Sequence, residues 1–290
     1  MLVSPTRADR PHDVGERAAA ARTGCPFCPG NEAETPPEVM AVRPGGGAAD
    51  GPGWLVRAFP NKFPALPPEE GVHEVVVSSP RHLTAFGELS DEEAGRAAAA
   101  WGERVSAIAA DPRGLWPFLF LNQGAAAGAS LQHTHAQLVG LPFPPPRLAA
   151  RERAFAAAGA CPVCADFAAG DGRIVAEADG LVAFAPRVPP LSGTVRIAPA
   201  RHRPDWGSDT DLPAVGRLVR LLLARIDAAF ATEAANLWLH QRGPGGTPRY
   251  HWHLDAIPRL GTLAGLELGA GVIAAAHAPE TVAERLRAAA

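Results

Sequence analysis

Hydrophobic and polar positions follow the same succession of elements twice along the chain. The first succession reads strand, strand, amphipathic helix and strand, at 54–59, 72–78, 91–110 and 116–121. The second reads hairpin, strand, long helix and strand, at 173–184, 194–199, 212–230 and 236–240. A strand that carries two histidines follows each of them, at His133-x-His135 and at His251-x-His253. This pattern predicts an α+β fold of two related modules, each with an antiparallel sheet flanked by helices.

A proline-rich segment separates the two successions. The run PFPPP at 142–146 is too rich in proline for regular structure, and a helix is predicted directly after it at 147–158. The module boundary is therefore expected between residues 146 and 147, giving modules 1–146 and 147–290. The chain has 290 residues, which is enough for two compact domains or one large one, and its hydrophobic fraction of 47% can build a sizeable core.

Net charge and cysteine spacing indicate which binding partners and which cellular compartment to expect. The formal net charge is −3, with both signs spread along the chain, so nothing predicts binding to nucleic acid or to a membrane surface. Residues 1–23 lack the apolar core of a signal peptide, and no later run has the length of a membrane span. All four cysteines fall in CxxC pairs, which favours bound metal in a reducing cytoplasm over disulfides.

Cysteines and histidines recur in one order in the two modules. The first set is Cys25, Cys28, His82 and His133, and the second is Cys161, Cys164, His202 and His251. Two thiolates and two imidazoles form a tetrahedral zinc site, and a CxxC turn supplies the first two ligands in a fixed geometry. Taken singly, His82 or His202 would be an ordinary buried or hydrogen-bonded imidazole, but the repeated order predicts one zinc site in each module.

The residues after the first paired histidines form a polar row. In HTHAQL at 133–138, alternation on a strand sends His133, His135 and Gln137 to one side. If His133 binds zinc, His135 lies about 7 Å further along the strand and does not reach the ion. Its neutral imidazole can attack phosphorus and form a phosphoramidate, so His135 is the predicted nucleophile.

A loop of small residues precedes this row. The run NQGAAAGAS at 122–130 lets backbone N–H groups and the Ser130 hydroxyl approach an anion closely. Alone, such a loop is typical of any flexible connection between strands. Its place directly before the histidine row favours a phosphate-binding loop.

These motifs together resemble the galactose-1-phosphate uridylyltransferase family of the histidine triad superfamily. The resemblance covers nearly the whole chain and rests on the segments CPFCPGN with TPPE at 25–38, FPNKFPA at 59–65, GVHEV at 71–75, SPRH at 79–82, 122–137, YHWHL at 250–254, and PRL with AGLELG at 258–269. It implies tandem histidine-triad-like modules and a homodimer in which each active site borrows from its partner.

The resemblance also implies roles for individual residues. The family's active histidine falls on His135, and the glutamine that contacts its transferred phosphoryl group falls on Gln137. Its phosphate-binding loop falls on Asn122, Gly128 and Ser130, and its nucleotide pocket on Asn61 and Phe63. The first metal site of the family falls on the first cysteine and histidine set.

Gln137 bears on the type of reaction. Related hydrolases carry a third histidine there that can protonate a poor leaving group, which an amide cannot do. A sugar phosphate departs without protonation, so transfer is favoured over hydrolysis. The residues thus predict ping-pong transfer through a nucleotidyl-histidine, and the family resemblance implies that UMP is moved between UDP-glucose and a hexose 1-phosphate. Two alternatives stay open: a nucleotide-sugar phosphorylase of the ADP-glucose type, which uses inorganic phosphate, and a non-catalytic zinc-containing nucleotide-binding module.

The ligands of the second metal also have an alternative. The family can use a set that falls here on Glu152, His240, His251 and His253. The second metal is expected to be zinc, with iron as the alternative. Thiolates bind zinc tightly, so the cysteine set is favoured. Glu152 is then expected to be an ordinary carboxylate on a helix surface, and His253 to be structural.

Three departures from the family limit what the sequence says about the substrate. Thr134 stands where a proline is common, an N-terminal strand is not recognisable at residues 2–5, and a Gly-rich segment at 264–271 replaces a sugar-contacting one. The sequence therefore leaves base, sugar and acceptor unspecified.

Overall fold

Residues 24–170, 172–207 and 210–289 are described in the computed structural model. The strands are β1 Met40–Val42, β2 Val56–Pro60, β3 Val72–Val77, β4 Trp116–Gln123, β5 His135–Leu141, β6 Ile174–Ala178, β7 Leu181–Phe184, β8 Val195–Pro199, β9 Ala235–His240 and β10 His253–Pro258. The helices are α1 Asp91–Ala109, α2 Pro146–Ala157, α3 Pro162–Ala168, α4 Leu212–Phe230 and α5 Pro279–Ala288. The predictions about residues 1–23 lie outside the described residues. In the described ranges, no helix is both long and apolar enough to span a membrane.

All ten strands form one antiparallel sheet, in the order β1-β2-β3-β5-β4-β9-β10-β8-β7-β6. The five strands before residue 146 and the five after it, called here the first and second halves, have the same internal order. The halves join where β4 pairs with β9. The predicted α+β class with antiparallel sheet and flanking helices is confirmed, but a single continuous sheet runs through both halves.

One row of cross-strand partners shows how the two halves correspond. In the first half the row contains Phe59, Val75, Gln137 and Phe120, and in the second half it contains Phe184, Arg196, Asp255 and Trp238. Phe120 and Trp238 pair with each other, so a pseudo-two-fold axis passes between them. Each residue of this row in one half therefore has a structural counterpart in the other half.

The two long helices pack against the same face of the sheet and against each other. Ser90 begins α1 with a capping box, as predicted, and Asp211 begins α4 by accepting a hydrogen bond from the Ala214 N–H. Their contact needs a glycine, because a Cβ on Gly216 would lie 2.1 Å from the Ala94 carbonyl oxygen. This face holds the main apolar core, so the polar side chains of the opposite face are available for a site.

A buried ion-pair network stabilises the β1 and β2 edge of the sheet. The Arg57 side chain is 2% exposed and donates to Glu38 at 2.9 Å and to Asp50 at 2.5 Å. Arg43 donates to the other oxygen of Glu38. These hydrogen bonds, Arg43 contributing most, lower the pKa of Glu38 to about 2.

Element boundaries agree with the predicted ones to within a few residues. Helix α4 spans the predicted range, and the hairpin turns at Asp179 and Gly180, both with positive φ. Helix α2 includes Pro146 as its first residue, a position where a missing N–H costs nothing. Strand β5 begins at His135, so His133 lies just before the strand and not within it. Strand β1 and helices α3 and α5 were not predicted.

Candidate active site

His135 lies at the start of β5, on the face of the sheet opposite α1 and α4. Its side chain is 5% exposed, and the edge of its ring meets Phe27 with the ring centroids 5.1 Å apart. Its Nδ1 lies 2.6 Å from the His133 carbonyl oxygen. Since a carbonyl can only accept, Nδ1 carries the proton and Nε2 keeps its lone pair. The structure thus places His135 in the tautomer that a nucleophile requires.

A chain of hydrogen bonds orients the amide of Gln137. The Ala65 N–H donates to Nδ1 of His73 at 2.9 Å, so the ring proton of neutral His73 sits on Nε2. This Nε2–H donates to Oε1 of Gln137 at 3.0 Å, and the amide nitrogen of Asn61 donates to the same oxygen at 3.4 Å. The Gln137 amide oxygen therefore already accepts hydrogen bonds from His73 and Asn61. Its NH2 group is left as the donor toward a substrate oxygen.

His73 was not among the predicted site residues. The signal was present in the sequence, because alternation along β3 puts His73, Val75 and Val77 on one side. The register with β5 pairs Val75 with Gln137 and Val77 with His135, which puts His73 diagonal to Gln137. Recognising this needs the pairing of two strands, because His73 and Gln137 are 64 residues apart in sequence.

The predicted nucleotide-pocket residues lie beside this group. Oδ1 of Asn61 accepts from the Phe63 N–H at 2.8 Å, and Phe63 is half-buried. This bond ties together the turn that follows β2. Asn61 thus holds both the Gln137 amide and the segment that carries the Phe63 ring.

The predicted phosphate-binding loop joins β4 to the segment before His135. Gly128 has φ of +85°, which an L side chain rarely adopts, and Ser130 is half-buried. The second half supports the loop, because Asn236 of β9 donates to Oδ1 of Asn122 at 2.8 Å and to the Ala127 carbonyl at 2.9 Å. No sequence pattern predicted this contribution from Asn236.

The first cysteine and histidine set converges on one point. Sγ of Cys28 lies 3.2 Å from Nδ1 of His82 and 3.7 Å from Nδ1 of His133, and Sγ of Cys25 lies 3.6 Å from Nδ1 of His133. A tetrahedral zinc ion with ordinary bond lengths requires sulfur-to-nitrogen distances of about 3.6 Å. The donor set and its spacing fit zinc. His133 Nε2 donates to the Ser79 carbonyl at 2.8 Å, which presents the other nitrogen to the ion.

Burial shapes the protonation of these ligands. It raises the pKa of the Cys25 thiol to about 11 and lowers the pKa of His133 to about 4. The imidazole is thus neutral, as a ligand must be. A thiolate at Cys25 needs a nearby cation, which a divalent metal would supply.

The second cysteine and histidine set is also assembled. Nδ1 of His251 lies 3.4 Å from Sγ of Cys161 and 3.3 Å from Sγ of Cys164, while His202 lies 3.9 Å from Cys164. Burial lowers the pKa of His251 to about 4 and raises that of Cys164 to about 12. His202 is exposed, so this group of four is more accessible to solvent than the first. Both predicted sets can therefore hold a metal ion.

The alternative ligand set for the second metal is not assembled. Glu152 accepts from the Thr247 N–H at 2.8 Å, and Nε2 of His253 accepts from the guanidinium of Arg151. Glu152 is thus not the ordinary surface carboxylate that was expected, because it holds a loop of the second half. His253 donates from Nδ1 to the His251 carbonyl at 2.8 Å, the same bond that its counterpart His135 makes.

Three other side chains of the described residues, His240, His253 and Asp255, are also close enough to share an ion. Arg196 already makes two hydrogen bonds to Asp255, at 2.7 and 3.0 Å, and Arg151 already contacts His253. A divalent cation there would meet two guanidinium charges. Burial also lowers the pKa of His240 to about 4, so His240 is neutral. The three side chains are thus a neutral imidazole and His253 beside the ion pair of Asp255 with Arg196.

Comparison with known proteins agrees with this geometry. The family model for the N-terminal domain of galactose-1-phosphate uridyl transferase matches residues 58–145, which include His135 and Gln137. An ADP-glucose phosphorylase of Arabidopsis thaliana is 29% identical over 99% of this chain and 89% of its own length. A galactose-1-phosphate uridylyltransferase of Thermotoga maritima is 25% identical over 99% of this chain and 94% of its own length.

Solved structures give the same result for the fold. The crystal structure of an Arabidopsis thaliana ADP-glucose phosphorylase with bound ADP-glucose superimposes with a TM-score of 0.82. That match covers 93% of each chain at 28% identity. The resemblance seen in the sequence motifs is confirmed, because this chain is similar over nearly its whole length to an ADP-glucose phosphorylase and to a galactose-1-phosphate uridylyltransferase.

Proposed function

We propose that this protein is a nucleotide-sugar phosphorylase that transfers AMP from ADP-glucose to inorganic phosphate through a nucleotidyl-histidine. The observation that carries the proposal is the pairing of His135, with its lone pair on Nε2, and Gln137, with its amide oxygen engaged from behind. The choice of ADP-glucose follows the similarity to the Arabidopsis thaliana ADP-glucose phosphorylase over nearly the whole chain.

The first step forms a bond from Nε2 of His135 to the α-phosphorus. The bond from that phosphorus to the bridging oxygen breaks, and glucose 1-phosphate leaves with the electron pair. The imidazole becomes positively charged in the adduct, and its Nδ1–H still donates to the His133 carbonyl at 2.6 Å. This carbonyl stabilises the charge that develops on the ring. In the second step an oxygen of phosphate attacks the same phosphorus, ADP is released, and His135 returns to its neutral form.

Gln137 acts as a fixed donor toward the transferred phosphoryl group. Its NH2 group can bond an equatorial oxygen whose negative charge grows in the transition state. The amide NH2 donates hydrogen bonds but cannot transfer a proton to a leaving group. Glucose 1-phosphate and phosphate do not need one at neutral pH, which agrees with transfer and not with hydrolysis of a poorly leaving group.

The second half of the chain supports an anion-binding role for the loop at 122–130. Its counterpart at 240–248 has the same length before the paired histidines, and the bond from Gly128 N to the Ala125 carbonyl recurs between Gly246 and Gly243, both at 2.9 Å. In the second half a carboxylate, that of Glu152, accepts from a backbone N–H of this loop. A loop of this shape therefore suits an oxygen anion, which in the first half would be a substrate phosphate.

Metal ions would support this chemistry indirectly. The residues that would hold zinc are the two assembled sets, one in each half. Ligation of His133 would fix the carbonyl that orients His135, two residues further on. We further propose that the protein works as a homodimer in the cytoplasm, as its family resemblance implies.

Intact-protein mass spectrometry at non-acidic pH tests the proposal, with ADP-glucose and UDP-glucose present together and acceptor left out. Acid would cleave a phosphoramidate. The expected result is an adenylyl adduct on the wild type and none on His135→Gly with unchanged zinc content. Addition of phosphate should discharge the adduct as ADP. Folded, zinc-loaded wild type that forms no adduct would support a non-catalytic nucleotide-binding module instead.

UMP transfer between UDP-glucose and a hexose 1-phosphate is the second candidate. The match of residues 58–145 to the galactose-1-phosphate uridyl transferase model and the similarity to the Thermotoga maritima enzyme favour it. A uridylyl adduct that discharges with galactose 1-phosphate and not with phosphate would select this reaction.

A further inference from the structure

A cavity of about 440 Å³ lies in the second half, outside the candidate active site. Its lining includes Arg151 and Phe155 of α2, Val163 of α3, Val188 after β7 and Arg196 of β8. His253 of β10 also lines it. We call it the second-half cavity. Its volume is in the range of pockets that bind small molecules.

The pseudo-two-fold axis shows what this cavity corresponds to. His253 is the counterpart of His135, because Asp255 and Gln137 occupy equivalent places in the cross-strand row. Phe184 is likewise the counterpart of Phe59, and Val188 follows Phe184 in the chain by four residues, as Phe63 follows Phe59. The second-half cavity is thus the counterpart of the candidate nucleotide pocket.

The CxxC turns correspond as well. Val163 stands between Cys161 and Cys164 where Phe27 stands between its two cysteines, and Phe27 contacts the ring of His135. Val163 lines the second-half cavity together with His253. The same three parts, a CxxC turn, a segment after the second strand and a histidine strand, therefore enclose both spaces.

The charge of the second-half cavity differs from that of its counterpart. Arg196 replaces Val75 in the cross-strand row and makes two hydrogen bonds to buried Asp255. Arg151 lies 3.9 Å from an oxygen of the same carboxylate. Arg187 and Asp166 also line the cavity, and Asp166 pairs with Arg173 at 2.7 Å. The carboxylates of Asp166 and Asp255 are thus outnumbered by the guanidinium groups around them, which leaves a positive charge at the cavity wall. Burial lowers the pKa of Arg151, as expected for a cation with too little negative charge near it.

Apolar surface completes the cavity. The Phe155 and Val163 side chains are buried, whereas Val188 is 82% exposed at the wall. An apolar ligand group would remove Val188 from water, while an anionic group would compensate the charge of Arg151. A nucleoside phosphate has both parts.

The same contacts exclude turnover in this cavity. Nε2 of His253 accepts from Arg151, so the lone pair that attacks phosphorus in the first half is engaged here. The loop at 240–248 is already bonded to Glu152. We propose that the second-half cavity binds a nucleoside phosphate without cleaving it, as a site separate from His135 and independent of any turnover there.

Ala154 and Ala156 of α2 offer a matched test. Both are exposed, but only Ala154 lines the cavity. Ala154→Glu would put a bulky negative charge in the cavity, and Ala156→Glu would put the same charge on the same helix outside it. Isothermal titration with ADP is expected to give two binding events per wild-type chain. Ala154→Glu should weaken one of them at least about tenfold, and Ala156→Glu should leave both unchanged.

Photolabelling identifies which site each variant affects. With 8-azido-ADP, wild-type peptides that contain α2 or the segment after β7 should be labelled, and this label should disappear in Ala154→Glu alone. Ala165→Glu, in the cavity, and Ala168→Glu, outside it on α3, form a second pair if Ala154→Glu fails to fold. The proposal is wrong if no peptide that lines the cavity is labelled in the wild type, or if both cavity variants keep every binding event of the wild type. A single ADP whose label lies on α2 and disappears in Ala154→Glu would support the cavity and count against ADP binding at His135.

Discussion

Replacing His73 by asparagine separates two of the hydrogen bonds that its ring makes, the one from Ala65 and the one to Gln137. The Oδ1 of asparagine can take the place of Nδ1 and still accept from the Ala65 N–H, a bond of 2.9 Å in the native protein. Asparagine is too short to reach Gln137, whose Oε1 receives the His73 Nε2–H at 3.0 Å. His73→Gln makes the complementary change, because its longer side chain can carry an N–H close to the place of Nε2.

The loss expected in His73→Asn follows from the burial of Gln137, which is 6% exposed. Leaving a buried acceptor without its main donor costs about 1 to 3 kcal/mol. The amide can recover a partner by rotating, but its oxygen would then face the substrate phosphoryl group and repel it. If the cost appears in the transition state, kcat/KM falls about 10- to 100-fold. His73→Gln should stay within about threefold of the wild type.

Steady-state kinetics with ADP-glucose and phosphate measure this effect, with kcat and KM determined separately. The loss should lie mainly in kcat, because Gln137 is proposed to bond the transition state more strongly than the substrate. In a Gln137→Ala background, His73→Asn should have almost no further effect, which makes a double-mutant cycle the decisive measurement. Additive losses in that cycle, or full activity of His73→Asn alone, would show that His73 does not act through Gln137.

Three other perturbations give separate tests. A chelator should release zinc from the chain in two phases, because the Cys161 site includes an exposed histidine whereas the Cys25 site is more buried. Cys161→Ser should remove the faster phase. A single phase in the wild type would contradict this prediction. Glu38→Gln should lower the free energy of unfolding by about 2 kcal/mol at pH 7 in urea titrations, since the ion pair is buried. Because the pKa of Glu38 is lowered from 4.5 to about 2, its contribution is present above pH 4.5 and is lost as the pH falls to about 2, so the variant and the wild type should converge there. Asn236→Ala should lower phosphate affinity several-fold, measured by KM for phosphate, because Asn236 donates to Asn122 and to the Ala127 carbonyl and so supports the phosphate-binding loop. It should also lower the free energy of unfolding by about 1 to 3 kcal/mol, since these acceptors lose their donor.

Much of the fold could be predicted from local patterns. Helix α4 has a continuous apolar face and a clear first residue after Asp211, and β5 follows directly from the alternation around His135. Strand β1 is three residues long, too short for a period to be visible. The pairing of β4 with β9 was not predicted, because the alternation of a strand does not indicate which strand, more than a hundred residues away, it pairs with.

The residues of the candidate site also differ in whether local sequence patterns or long-range contacts identify them. His135 and Gln137 could be found because they lie two residues apart on one strand. His73 and Asn236 contribute through strand pairing, and Arg151 contacts His253 from a helix that the sequence places in no particular relation to it. The role of Glu152 was misjudged for a related reason, since the loop that it holds follows it by about ninety residues. Tertiary contacts, not residue types, decide these cases.

The central β4 and β9 pair has a consequence for the order in which the chain can fold. Until β9 has been synthesised, β4 is an edge strand of eight residues whose backbone donors and acceptors have no neighbour on one side. Edges of this kind attract other extended chains. Folding of the first half during translation would therefore expose a surface prone to association until more than a hundred further residues have emerged. Slow translation or truncation within the second half should then lead to aggregation, and not to a stable half-protein.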